Sequence, residues 1–234
     1  IKNVSGLSNV HELTIRHSNI TDVSKLGTVN TLTLADCNNI TDITALKSVY
    51  DLSLEHCGGI TTVVSLSHVH TLNIDNCENI KDLSELSNVH SLSIHCDYVD
   101  CSYHKLDAAK LCNVHSLSVK RMLFVNNDIN ALGSVHTLTL IGCTHIEDVT
   151  GLGTGKVDTL ELLNCFDIQN VDALKSVRNL MITSCNKIHD ISSLGTGNVN
   201  TLYIKHCPNI TDISGIIPSI HRMKSVNING LKLK

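Results

Sequence analysis

Ten cysteines and fourteen histidines are the side chains of this chain best suited to chemistry, as metal ligands, thiolate nucleophiles or proton carriers. Their spacing narrows the choice. Cys37, Cys57, Cys77, Cys143, Cys165, Cys185 and Cys207 stand at one matching place in successive segments, with Ser18 and Met122 at the same place elsewhere. Structural zinc sites use cysteines about two to four residues apart, and this column has no such pairs. A column of small sulfur side chains instead suits burial, each S–H giving a weak hydrogen bond to a loop carbonyl. Side chains stacked in parallel do not present disulfide geometry. The column therefore predicts thiols, and many thiols imply a reducing, intracellular and cytoplasmic setting.

Two other groups invite the same question. His95, Cys96, Cys101, His104 and Cys112 form the one local cluster of metal-ligand types, but the spacing C-x4-C-x2-H is irregular. It reads most simply as an insertion with incidental Cys and His; a zinc site and a Cys96–Cys101 disulfide are the alternatives. His11, His70, His90, His115 and His136 share a second column, with Tyr50 in the same place. Imidazoles about 5 Å apart on neighbouring strands disfavour charging together, which predicts mild destabilisation in acid. No nucleophile–base–orienter set is present, and no carboxylate pair stands apart from a regular Asp column. The expectation is no enzyme, no catalytic residue, no cofactor and no bound metal.

These columns exist because the chain repeats. Val10, Val29, Val49, Val69, Val89, Val114, Val135, Val157, Val177 and Val199 each open the pattern V-x-x-L-x-[LI]-x-x-C-x-x-I, at intervals of 19 to 25 residues. Pieces such as Leu32-Thr33-Leu34 alternate apolar and polar, which is a short strand with one face buried. Ile40, Ile43, Leu46 and Val49 then recur every third residue, a spacing that suits a 3-10 turn or an extended connector. Asp22, Asp42, Asp82, Asp148, Asp190 and Asp212 precede that stretch, where a short carboxylate can accept from the next backbone N–H groups. One unit cannot bury its apolar side alone, but stacked units with parallel strands can. Charged residues are 17% and aromatics 3% of the chain, against about 25% charged in an ordinary soluble domain. A thin aliphatic interior explains both.

With Cys in the place often held by Asn, this strand half resembles the leucine-rich repeat family. Ile20-Thr21-Asp22-Val23-Ser24-Lys25-Leu26 and Ile210-Thr211-Asp212-Ile213-Ser214 are similar to the short repeats of internalin-like proteins, and the Cys is similar to the cysteine-containing subclass. Neither pattern fits throughout: the first is expected to lack a Cys ladder, and the second has longer repeats. The resemblance implies an α/β repeat solenoid, a leucine-rich repeat arc with a parallel β-sheet on the concave face and short 3-10 or irregular connectors on the convex face. A single solenoid is expected over residues 1–234, of about ten repeats, with irregular repeats at 89–134 and partial repeats at both ends. The start in mid-repeat, and a final strand placed at 228–233, look like cut ends. In the irregular part, Leu106-Asp107-Ala108-Ala109-Lys110-Leu111 predicts a true helical turn. Gly153-Thr154-Gly155 and Gly195-Thr196-Gly197 add residues before the next strand and are expected to turn with positive φ; they lack the strand–loop–helix setting of a phosphate-binding loop.

The resemblance also implies a protein-interaction scaffold. The face expected to be concave is mostly small and hydroxylic, with a diagonal apolar run at Ile141, Leu163, Met181 and Tyr203. A partner is expected to dock on that run or on a bulge formed by Tyr98, Tyr103 and Phe124. The alternatives are a spacer segment without a dedicated ligand, or Thr rows for ice or carbohydrate, which Asp51, Asn73 and Glu161 interrupt. A formal net charge of −4 without a long basic run argues against nucleic acid. No apolar run approaches ~18 residues, so no membrane insertion is expected. The partner is a protein whose identity the sequence does not name.

Overall fold

The computed structural model describes residues 4–80, 82–97, 105–125 and 128–229. It comprises two compact units, residues 1–104 with 113–117, and residues 105–112 with 118–234. In the first, strands β1 (Glu12–Arg16), β2 (Thr31–Ala35), β3 (Asp51–Glu55), β4 (Thr71–Asp75) and β5 (Ser91–His95) pair in parallel with their chain neighbours, without a slip in register. A two-residue pair follows, β6 (Lys105–Leu106) with β8 (Leu123–Phe124), and β7 (Ser116–Lys120) lies between them in the chain. In the second unit β9 (Thr137–Ile141), β10 (Thr159–Leu163), β11 (Asn179–Thr183), β12 (Thr201–Lys205) and β13 (Ser225–Asn229) repeat the parallel order.

The period-two reading places the strands where they are found. In each strand the second and fourth residues point inward and the first, third and fifth outward. Leu32, Leu34, Leu52, Leu54, Leu138, Leu140, Leu160 and Leu162 are all at most 2% exposed. The final strand is the exception: β13 begins at Ser225, three residues ahead of the place read from the sequence, and pairs Val226 with Leu202 and Ile228 with Ile204. Residues 230–233 of that reading lie outside the described residues.

How the strands end is not legible in the sequence. The residue after the strand adopts positive φ at His17, Asp36, His56 and Asn76 in the first unit, and at Arg121, Gly142, Asn164, Ser184 and His206 in the second. Its N–H continues the ladder by one bond, as in Asp36 N to Glu55 O at 2.9 Å and Asn164 N to Thr183 O at 2.9 Å. The left-handed turn then sends the next side chain, the column cysteine, into the interior. Asn, Asp and His tolerate this conformation better than most residues.

The period of three also has a direct cause. Ile40 N to Cys37 O, Leu46 N to Ile43 O and Val49 N to Leu46 O are successive three-residue turns of 3.2, 2.9 and 3.0 Å, each delivering one aliphatic inward. The Asp column works as expected with one refinement. Asp42 Oδ1 accepts from Thr44 N at 2.9 Å and Asp190 Oδ1 from Ser192 N at 2.8 Å. The helix cap is the apolar residue between them, so each Asp closes an Asx turn one residue outside the helix. Helix α1 (Ala108–Leu111) forms where the composition placed it, with Asp107 accepting from Ala109 N at 3.0 Å. No helix among the described residues is long and apolar enough to cross a membrane.

The two Gly-Thr-Gly inserts depart from expectation. The first is part of helix α2 (Thr150–Thr154), and Gly155 and Gly197 have φ of −93° and −106°. Their need for glycine is close approach: a Cβ on Gly155 would run into the Gly133 backbone, and one on Gly197 into that of Lys175. Gly155→Ala is therefore expected to cost more than about 1 kcal/mol, whereas Gly6→Ala, with nothing near its Cβ, changes stability by under about 0.5 kcal/mol. Urea midpoints of the two variants check this, and equal midpoints would refute the packing account.

Candidate functional site

Each five-residue strand directs three side chains outward, of which Ala35 is itself covered, and adjacent strands align them in rows. In the first unit the rows read Glu12, Thr31, Asp51, Thr71, Ser91; Thr14, Thr33, Ser53, Asn73, Ser93; and Arg16, Ala35, Glu55, Asp75, His95. This face carries four carboxylates against one guanidinium, and Arg16 pairs with Glu55 at 3.1 Å. Asn73 Nδ2 donates to Ser53 Oγ at 2.9 Å and Ser53 Oγ to Glu55 Oε1 at 3.2 Å. At the end of the row His95 lies between two carboxylates, 3.3 Å from Asp75 and 3.1 Å from Asp97.

The second unit differs. Ile141 and Leu163 are register partners, as are Met181 and Tyr203, and Leu163 stands diagonally to Met181. The four half-buried side chains make one apolar run across four strands, among Thr139, Thr159, Thr183 and Thr201. Thr139 Oγ1 donates to Glu161 Oε2 at 3.3 Å, and Arg178 holds Asp158 at 3.0 Å. Among the described residues no group of three His, Cys, Asp or Glu could hold a metal ion.

The histidine column becomes a ring stack in the first unit. Tyr50 and His70 lie 4.3 Å apart, His70 and His90 4.7 Å, and His90 and His115 4.6 Å, with interplanar angles of 10 to 22°. The equal rise of parallel strands imposes this spacing. Partial desolvation, and then the neighbouring His115 and His70, hold the His90 imidazole below the ordinary histidine range.

The seven column cysteines are thiols and buried. Each S–H faces two carbonyls, one on its own strand end and one on the preceding strand. Cys57 Sγ is 3.4 Å from both Glu55 O and Leu34 O, and Cys185 Sγ is 3.5 Å from Thr183 O and 3.6 Å from Leu162 O. Burial pushes the Cys143 thiol up to about 11 and Cys185 to about 12, and raises Cys37, Cys165 and Cys207 as well. Cys77, which accepts the Cys57 N–H at 3.4 Å, is raised by its contact with Cys57 and by burial. Cys57, the other member of that contact, is lowered by its hydrogen bond with Cys77. The ladder is a packing device whose thiols are buried.

The irregular region corrects two expectations. Phe124 is 1% exposed, pairing beside Leu106 in the small β6–β8 ladder, so it fills an interior and offers no ring to a partner. Tyr98, Tyr103, Cys101 and His104 lie outside the described residues. Cys96 is disulfide-bonded and Cys112 is a thiol. An oxidised Cys96 supplies no thiolate to a metal, and a compartment cannot be read from the ladder alone, because burial by itself keeps those thiols reduced.

Two measurements follow. Ellman's reagent is expected to leave the seven ladder thiols unlabelled in native protein and to gain them all on denaturation; labelling of any of them without unfolding would contradict the burial. On acidification the unfolded chain takes up protons near its ordinary histidine pKa of about 6.5 before His90 does. Stability is thus full above that pH and falls as pH drops through it towards the depressed value. The Asx-turn carboxylates Asp22, Asp42, Asp190 and Asp212, held below the usual range chiefly by backbone N–H donors, withdraw a second contribution as pH falls through their still lower values. Melting temperature should decline slightly from pH 7.5 to 5.5 and steeply below about pH 4, and His90→Gln should flatten only the first step.

No protein-family model matches the chain, and no curated protein matches its sequence. Solved structures do match in fold. An internalin, InlF, from Listeria monocytogenes is 19% identical over 98% of this chain and 82% of its own, with a TM-score of 0.55. The functional domain of InlJ from the same organism is 14% identical over 99% of this chain, which spans 61% of that domain, with a TM-score of 0.50; it is described as including a cysteine ladder. A leucine-rich repeat protein of Leptospira interrogans is 12% identical over the full chain and 71% of its own, with a TM-score of 0.51. InlJ corrects the expectation that internalin-like repeats lack a Cys ladder. The chain thus has the fold of these leucine-rich repeat structures, with short repeats and cysteine in the ladder position.

Proposed function

We propose that the chain is a non-enzymatic protein-interaction scaffold, and that a protein partner docks on the solvent-facing side of the second unit's strands. The observation that carries this reading is the apolar run of Ile141, Leu163, Met181 and Tyr203. Elsewhere on the strand faces the side chains are small, hydroxylic or charged, with little apolar area to bury on binding. A run of half-buried aliphatics ending in a tyrosine, rimmed by threonines, has the make-up of an interface centre with a polar rim. It stands on strands whose register holds it rigid, so docking orders few side chains. The bulge reading loses Phe124 and with it its best-defined member. On compartment, the Cys96 disulfide favours an oxidising setting over the intracellular one implied by the thiols. Capture of partners from a native extract, with Leu163→Asp and Tyr203→Ala variants alongside, tests the site. Each variant should weaken capture at least about tenfold, roughly 1.4 kcal/mol, at unchanged melting temperature; undiminished capture by both removes the run from the interface.

A further inference from the structure

One charged side chain stands inside the apolar run of the second unit. Glu161 is the middle outward residue of β10, with Thr159 and Leu163 beside it on the strand. Its register partners are Thr139 and Met181, and Ile141 lies on the diagonal, opposite Leu163. None of these neighbours is basic. The half-buried carboxylate accepts from Thr139 Oγ1 at 3.3 Å, a long hydrogen bond that leaves most of its acceptor capacity unused. Among the described residues no cation pairs with it. Arg178 is taken up by Asp158 at 3.0 Å, and Lys205 stands two strands away, at least about 10 Å. The first unit answers the same situation from within: Arg16 reaches across two strands to Glu55 at 3.1 Å.

We infer that the docking partner brings an arginine to Glu161, set among the apolar side chains that cover Ile141, Leu163 and Met181. The inference rests on the docking reading above and adds the chemistry of the occupant, with Glu161 as its specificity-determining residue. Apolar groups that cover the run take water from Glu161 at the same time, and a carboxylate desolvated without a counter-charge is heavily penalised. The partner must therefore carry a cation at that point. A guanidinium suits it better than an ammonium, because its flat fork meets both carboxylate oxygens and it sheds its hydration more readily. A partner with a carboxylate there is rejected, so the same residue selects for one partner and against another. The carboxylates of the first unit do not compete, since no apolar run surrounds them and Glu55 already holds Arg16.

The test is a selection of displayed random dodecapeptides on the immobilised full chain, in parallel on the Glu161→Gln, Glu161→Arg and Leu163→Asp variants. The expected result is enrichment of peptides with an arginine beside apolar residues, absent on Leu163→Asp. On Glu161→Arg the arginine should give way to Asp or Glu. For an enriched peptide, fluorescence anisotropy should show affinity falling at least about tenfold on Glu161→Gln, and falling on the unaltered chain when the peptide's arginine is replaced by lysine. Apolar peptides enriched without arginine, including those with lysine in its place, overturn the inference while leaving the docking run in place, as does binding that Glu161→Gln leaves unchanged. No enrichment over Leu163→Asp overturns the docking run as well.

Discussion

The regular rungs of this fold depend on one junction, the point where a strand stops. There the chain takes a left-handed residue whose N–H still reaches the next strand, and the following thiol turns inward between two carbonyls. Those carbonyls would otherwise face an aliphatic interior with unused acceptor capacity, which carries a desolvation cost. A sulfhydryl is small enough to stack at strand spacing and weak enough as a donor to share itself between two acceptors. Met122 fills the same place at an irregular unit, where the ordinary sequence of strand and turn is interrupted by the β6–β8 pair.

The strict register that follows from this junction explains the surface as well as the interior. Because partners align residue for residue, any side chain type repeated at one place in the sequence becomes a physical row. Leucines become a seam, histidines become a ring stack, and threonines become a hydroxyl lawn. The same logic makes a row with mixed composition informative. In the second unit the middle row sets Glu161 between Thr139 and Met181, and no packing requirement of the buried side calls for a carboxylate there.

Much of this was legible in the sequence and some of it could not have been. The strands and their outward triples follow from period two, and the connectors from period three, since both place aliphatics at fixed steps. The left-handed column is hidden in the sequence because Asp36, His56, Asn76, Arg121, Ser184 and Gly142 share a backbone conformation but no side-chain chemistry; its excess of Asp, Asn and His is the available signal. At Gly155 and Gly197 the sequence shows that glycine is needed without showing whether φ or a neighbouring backbone requires it. The burial of Phe124 is not readable because its segment follows no repeat, and outside a repeat the periodic rules that separate inside from outside have no purchase. The apolar run was visible as residues, whereas the place of Glu161 among them emerges only when the register is known.

The parallel order also governs how the chain reaches this structure. Partners among the five-residue strands of each unit are 19 to 24 residues apart along the chain, so each added strand closes a loop of nearly constant length. The entropic cost of such closure grows only with the logarithm of loop length, and here it is almost the same at every step. An all-β protein ordinarily folds slowly because its strands pair across long stretches of chain. In this one the distance never accumulates: once two neighbouring strands have formed, each further strand meets a finished template one repeat away, and folding becomes growth from a nucleus along the chain.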